Sequence, residues 1–123
     1  MIIDFRRLKK SFRFAFSGLK TIIKKEQNFR IHFAIAILVV IFGVIFKVSI
    51  WEWIALLLMI FFIFLLEIVN TVFERFVDML KPRLSTYAKE IKDLMSAAVL
   101  IAAVLSIIIG LIIFVPRFIQ FFN

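Results

Sequence analysis

The chain has 123 residues, 64% of them hydrophobic and 17 of them Phe, with a mean hydropathy of +1.10; about half apolar is the usual share in a soluble domain, so a soluble fold is excluded and one membrane-embedded unit, residues 1–123, is expected. The net charge of +8 flanks apolar runs, which makes anionic lipid headgroups its counter-surface and argues against a nucleic-acid partner. Without Cys and with a single His, disulfides, thiolate chemistry and multi-His metal clusters are excluded.

The N-terminus mixes basic with aromatic residues and lacks the apolar core and small-residue cleavage site of a cleavable signal. From about residue 5 to residue 25, Phe5, Leu8, Phe12, Ala15, Phe16, Leu19, Ile22 and Ile23 recur at helical spacing among Arg and Lys. That pattern predicts an amphipathic helix lying on the membrane surface. Three apolar runs follow. Ile31 to Phe46 carries no formal charge and holds His32 near its start; Trp53 to Leu66 is equally clean; Leu94 to Val115 is uncharged throughout. A spanning helix needs roughly 20 apolar residues, so spans are expected at about 29–48, 51–74 and 92–115. The fold class is therefore all-α, with three transmembrane helices and an N-terminal surface helix.

Nine Lys and Arg precede residue 31 and five lie between Arg75 and Lys92, whereas Lys47 and Arg117 stand alone in the other connections. By the positive-inside rule the N-terminus and the second connection face the cytoplasm. Trp51 and Trp53 then sit at the outer interface. Pro82 is expected to end the second spanning helix, and Ser85 or Thr86 to cap the third.

Glu67 interrupts the second apolar run. Counted from Trp53, it lies about 21 Å along the helix, near the inner edge of a hydrocarbon core roughly 30 Å thick. Ionisable groups at that depth are costly and point to function. Asn70, Glu74 and Asp78 follow at helical spacing, and the four fall within an arc of about 80°. Such a ladder of carboxylates invites a hard divalent ion, Mg²⁺, whose oxygen ligands can include nucleotide phosphates. A solvated helix end explains Asp78 and Glu74 but explains Glu67 poorly. Lys92 and Asp93 enter the third span level with Glu67, and Lys92 is placed to bind phosphate. Glu26 closes the first helix on the same side, where a pair with Arg30 is the structural alternative. Ala98, Ala102, Ser106 and Gly110, four apart, predict close helix packing. No Walker A or GxGxxG sequence is present, so any nucleotide is held without a soluble-type phosphate loop.

Three blocks carry a resemblance: Ser11-Phe12, Ala15, Gly18-Leu19, Glu26 and Asn28-Phe29-Arg30-Ile31-His32; Glu67-Ile68-Val69-Asn70-Thr71 with Glu74 and Asp78; and Ala88-Lys89, Lys92-Asp93 and Ser96-Ala97-Ala98-Val99-Leu100. On these the chain resembles the bacterial integral-membrane diacylglycerol kinases, a family that includes undecaprenol kinases. The resemblance implies a homotrimer in the bacterial cytoplasmic membrane, with active sites shared between subunits at the cytoplasmic edge. It implies transfer of the γ-phosphoryl group of ATP to the hydroxyl of a membrane lipid alcohol. Glu67 would be the catalytic base, assisted by Asn70. Glu26 and Glu74 would hold Mg²⁺, and Lys92 would contact the phosphates, with Asp78 and Asp93 at further polar positions of the nucleotide site. Met95 stands where the family usually has Gly or Ala, and Ser85 where His is frequent. His32 matches the branch that uses polyprenols, which tips the substrate from diacylglycerol toward undecaprenol. Two other classes are weighed. A proton- or ion-conducting subunit, with Glu67 and His32 as relay groups, would need polar residues through the outer half of the spans, where helix three offers only Ser106 and helix one none beyond His32. A non-catalytic adaptor leaves the polar ladder unexplained.

Overall fold

A computed structural model describes residues 2–80 and 85–123, so the expectation for Pro82 lies outside the described residues; Ser85 and Thr86, expected to cap the third spanning helix, instead lie within its first turn. Four helices occupy the described chain: α1 (Phe5–Lys25), α2 (Gln27–Ile45), α3 (Ile50–Leu80) and α4 (Ser85–Phe122). Helices α2, α3 and α4 are each long and apolar enough to cross a membrane. Most of their large apolar side chains are exposed, Phe61 and Leu65 at 60% and 61% among them. A water-soluble protein does not carry apolar surface on that scale.

Local chemistry sets the helix ends. Asp4 Oδ1 accepts from the backbone N–H groups of Arg6 (3.0 Å) and Arg7 (3.3 Å), satisfying donors that the first turn of α1 leaves orphaned. One extended residue, Glu26, separates α1 from α2. Arg30 reaches back across this corner and donates from Nη1 to the carbonyls of Ile23 (2.9 Å) and Lys24 (2.8 Å). Its charge and its N–H groups thus meet the negative end of α1, so Arg30 serves the corner through backbone carbonyls, and the carboxylate of Glu26 turns to Arg75.

The connection from α2 to α3 is equally defined. Lys47 adopts a left-handed conformation (φ 53°), which costs a residue with a side chain about 1–2 kcal/mol. Its N–H donates to the Val44 carbonyl (3.3 Å), and Val48 N–H donates to the Gly43 carbonyl (3.2 Å). This is the Schellman arrangement that ends a helix. Ser49 and Glu52 then start α3 as a capping box: Ser49 N–H donates to Glu52 Oε1 (2.9 Å), and Glu52 N–H donates to Ser49 Oγ (3.3 Å). Arg117 of α4 pairs with the same Glu52 carboxylate and donates to the Lys47 carbonyl at 3.3 Å.

Helix α4 runs on through Pro116 to Phe122, past the apolar run that ends at residue 115, and α3 continues to Leu80. At about 1.5 Å per residue these helices are about 57 and about 46 Å long, beyond a hydrocarbon core of about 30 Å. The most extensive helix contact is between α3 and α4, with smaller ones between α2 and α3 and between α1 and α2. Val48, Leu56 and Ile113 are buried together at the end bearing the α2–α3 turn, with Val39, Trp53, Ala55, Ile109 and Phe114 packed around them. Ala102 is buried, at 3% exposure. A Cβ at Gly110, by contrast, would meet nothing within 4 Å, so the small-residue stripe gives no close approach at that point within the protomer.

The tight approach is at Gly43, where an added Cβ would fall 2.6 Å from the Trp53 ring. Gly43→Ala forces the indole or the helix to move, and overpacking of this kind costs about 1–3 kcal/mol. Thermal unfolding in detergent is expected to show a lower midpoint for Gly43→Ala than for Gly110→Ala, whose added methyl meets nothing within 4 Å.

Candidate functional site

The polar residues gather at the other end of the bundle, away from the α2–α3 turn. On α3, Glu67, Asn70 and Thr71 are buried, Glu67 to 3% exposure, while Glu74 is half-buried and Asp78 exposed. The Thr71 hydroxyl donates back to the Glu67 carbonyl (3.0 Å), so it is spent on its own helix. Asn70 Nδ2 donates to Glu74 Oε1 at 3.3 Å. Asn70 therefore engages the carboxylate one turn further on, rather than that of Glu67.

The close neighbour of Glu67 comes from α2. His32 Nε2 lies 3.3 Å from Glu67 Oε1, with the imidazole half-buried. Glu26 and Glu74 stand close enough for their negative charges to act on Glu67, opposing the effect of His32. Glu26, at the α1–α2 corner, is itself 3.5 Å from Arg75 Nη2. Despite this company, Glu67 Oε1 and Asn70 Oδ1 are buried with no well-formed hydrogen bond among the described residues. Buried oxygens left in that state mark either a cost to stability or a place prepared for a ligand.

Helix α4 adds a cationic edge. Lys92 Nζ bridges to Asp78 Oδ1 across the α3–α4 contact at 2.6 Å. Asp93 pairs along its own helix with Lys89 at 2.8 Å. Met95 is half-buried. Lys92, expected as a phosphate ligand, thus holds a carboxylate in the protomer. No group of three or more His, Asp or Glu side chains forms a ready metal cluster among the described residues.

Two apolar clefts border this region. One, of about 330 Å³, lies between α2, α3 and α4 and runs from His32 to Phe114 past Ser106 and Gly110. Ser106 turns its hydroxyl to the Ala102 carbonyl (2.9 Å), leaving that wall apolar. The other, of about 670 Å³, lies between α1 and α3, with Gly18 on one side and Thr71 and Arg75 on the other.

Comparison with known proteins bears on this arrangement directly. Residues 13–114 match the family model described as prokaryotic diacylglycerol kinase. The undecaprenol kinase of Bacillus subtilis (strain 168) is 40% identical over 114 residues, which cover 93% of each chain. The chain belongs to the prokaryotic diacylglycerol kinase family. No solved structure matches it significantly.

The protein is thus a membrane lipid kinase, and the matched span contains Glu26, His32, Glu67, Asn70, Glu74, Asp78, Lys92 and Asp93. The pattern-based reading brought out Glu26, Glu67, Asn70, Glu74, Asp78, Lys92 and Asp93, and missed the pairing of His32 with Glu67. The signal was present: His32 is the lone ionisable residue in the first apolar run, and it lies near the same end as Glu67. Arg75, which faces Glu26, was read only as part of a basic connection.

The Asp78–Lys92 bridge yields a direct check. Both partners are partly exposed, and exposed pairs contribute roughly 0.2–1 kcal/mol. A double-mutant cycle with Asp78→Ala and Lys92→Ala, read by unfolding in detergent, is expected to give a coupling within that range. If Lys92→Ala lowers kinase activity while the stability coupling stays this small, the lysine acts in turnover beyond its bridge.

Proposed function

We propose that this kinase transfers the γ-phosphoryl group of ATP to the hydroxyl of undecaprenol, at the cytoplasmic face of a bacterial membrane. One observation carries the reading: a carboxylate buried to 3% exposure, Glu67, sits at one end of three apolar helices with Glu26 and Glu74 nearby. Such a group is positioned to accept a proton from an alcohol that stays in the bilayer. The lipid oxygen would attack the γ-phosphorus, its proton would pass to Glu67, and ADP would leave as the bond to the bridging oxygen breaks. The Bacillus relative, named for undecaprenol, favours the polyprenol over diacylglycerol.

The donor set fits Mg²⁺. Glu26 and Glu74 supply hard oxygen ligands, and the unsatisfied Oδ1 of Asn70, whose amide nitrogen bonds Glu74, offers another acceptor. Glu26 and Glu74 would hold the ion, which when bound neutralises the β- and γ-phosphate charge. Lys92 would stabilise charge on the transferred group, with Asp78 and Asp93 ordering the adjoining lysines; Asn70 would fix Glu74. Such positioning and electrostatics are most of what phosphoryl transfer asks of a protein.

The basic α1 would lie on the inner headgroups as an amphipathic surface helix, and the excess of Lys and Arg at this end sets the orientation. A homotrimer suits the same geometry. Both apolar clefts lie beside the polar ladder rather than around Glu74, Asp78 and Lys92, so an adjoining subunit would complete the nucleotide site over those faces.

The test is phosphorylation by the purified protein in bilayers that hold undecaprenol and diacylglycerol at equal mole fraction. Undecaprenol is expected to be the preferred acceptor; a ratio favouring diacylglycerol would reverse the substrate assignment and keep the kinase. Glu67→Gln nearly conserves volume and removes the base, so turnover should fall about 10²–10⁴-fold. Retention of a tenth of wild-type activity would remove Glu67 from that role. Glu26→Ala and Glu74→Ala are each expected to raise the Mg²⁺ concentration needed for half-maximal rate, and a metal titration reads the shift.

A further inference from the structure

We infer that His32 is a positioning residue for Glu67: its Nε2–H orients the buried carboxylate toward the acceptor hydroxyl. This rests on the functional reading above, in which Glu67 receives the hydroxyl proton. Three observations carry it. First, His32 Nε2 stands 3.3 Å from Glu67 Oε1, across two different helices. The contact therefore depends on tertiary packing and is not a by-product of helical spacing. Second, that oxygen has no well-formed hydrogen bond among the described residues. The nearby polar groups are committed elsewhere: Thr71 Oγ1 to the Glu67 carbonyl, Asn70 Nδ2 to Glu74, and Arg75 to Glu26. Third, the charges that reach Glu67 from the α1–α2 corner and from about two turns along α3, those of Glu26 and Glu74, are negative. They push the carboxylate away from themselves, and His32 is the group that draws it back.

The surroundings sharpen the effect. His32 lines the inner end of the apolar cleft between α2, α3 and α4, so the contact lies in a medium of low dielectric, where a single donor weighs more than in water. At 3.3 Å the donor is within reach but imperfectly aligned. Such contacts commonly tighten when substrate closes the site. A carboxylate free to swing between rotamers would present its oxygen to the hydroxyl only part of the time. Held through Oε1, it presents Oε2 steadily, and misplacement of a reacting group by about 1 Å can cost about 10²-fold in rate.

Two conservative variants isolate the geometry. In H32Q the amide nitrogen falls near the place of Nε2; in H32N it falls short by one methylene. Both are neutral amides of similar polarity, so insertion and assembly are affected alike. Full-length wild type, H32Q, H32N and Glu67→Gln are assayed in bilayers with undecaprenol and ATP, and kcat and the KM values for both substrates are measured. The expected result is an H32N kcat about 10²-fold below wild type, an H32Q kcat restored to within about fivefold, and an unchanged KM for ATP in both. Equal kcat values for H32Q and H32N, whether near wild type or deeply reduced, would overturn the assignment, because reach would not matter. A change confined to the KM for ATP would overturn it as well, placing His32 at the nucleotide. The failures separate cleanly. An active wild type with indistinguishable H32Q and H32N refutes only the role of His32. A wild type that phosphorylates no lipid, or a Glu67→Gln variant that keeps full activity, refutes the functional reading and the positioning role with it.

Discussion

A carboxylate held out of water among apolar helices is the constraint around which this protein is arranged. The effective cost of removing such an ion from solvent is several kcal/mol, and Glu67 sits at 3% exposure. Neighbouring carboxylates add repulsion, and among the described residues the ion-pair partner 3.3 Å from Glu67 belongs to a different helix, His32 on α2. The pairing asks for a fixed rotation of α2 against α3. Phe29 and Phe33 supply part of it, packing against Phe64 of α3 with ring centroids 5.0 and 6.1 Å apart. These rings flank His32 in sequence, so the same packing that orders the helices also carries the imidazole to the carboxylate.

The two ends of the bundle are built differently. Around the α2–α3 turn nearly every polar group is matched: the Schellman end of α2, the capping box of Ser49 and Glu52, and the bridge from Arg117 to Glu52 and to the Lys47 carbonyl. Beneath it lie Val48, Leu56 and Ile113. At the Glu67 end, buried acceptors remain unsatisfied. Stability is concentrated where no chemistry is expected, and unfilled hydrogen-bonding capacity is concentrated where it is. Natural proteins depart from full satisfaction mainly at functional sites.

The helices and the ladder were legible because each depends on spacing along one segment. Apolar runs of sufficient length give α2, α3 and α4, and the recurrence of Glu67, Asn70, Glu74 and Asp78 follows from helical geometry alone. What was not legible depends on two segments at once. His32 and Glu67 are neighbours only after α2 and α3 have packed with a particular rotation. The same holds for Lys92, read as a phosphate ligand from its depth, whose bridge to Asp78 needs the crossing of α3 and α4. The capping box is a different kind of miss. Ser49 and Glu52 have the S-x-x-E spacing that signals a helix start, but beside two Trp residues the turn reads as an interfacial anchor and the pattern passes unnoticed. The extension of α4 through Pro116 also defeats a local rule. Proline is disfavoured inside helices, yet beyond it the aromatic contacts of Phe118 and Phe121 with Phe46 hold the last turns against α2.

Connectivity explains why so few polar residues suffice. Successive spans that run in alternating directions bring the start of α2, the end of α3 and the start of α4 to one end, and the Asp78–Lys92 bridge ties two of these directly. Residues far apart in sequence then meet at one end of the bundle: Glu26 and His32 from the first corner, the ladder from α3, Lys92 and Asp93 from α4. A soluble kinase gathers phosphate ligands with a glycine-rich loop, whose bare backbone wraps the phosphates. Within a bilayer such a backbone would strand its own hydrogen-bonding groups. Side chains projected from the ends of intact helices avoid that cost, since every backbone bond in the apolar region is already made. The cost that remains is the burial of the charged side chains themselves, which favours their place at the ends of the apolar helices over their middles.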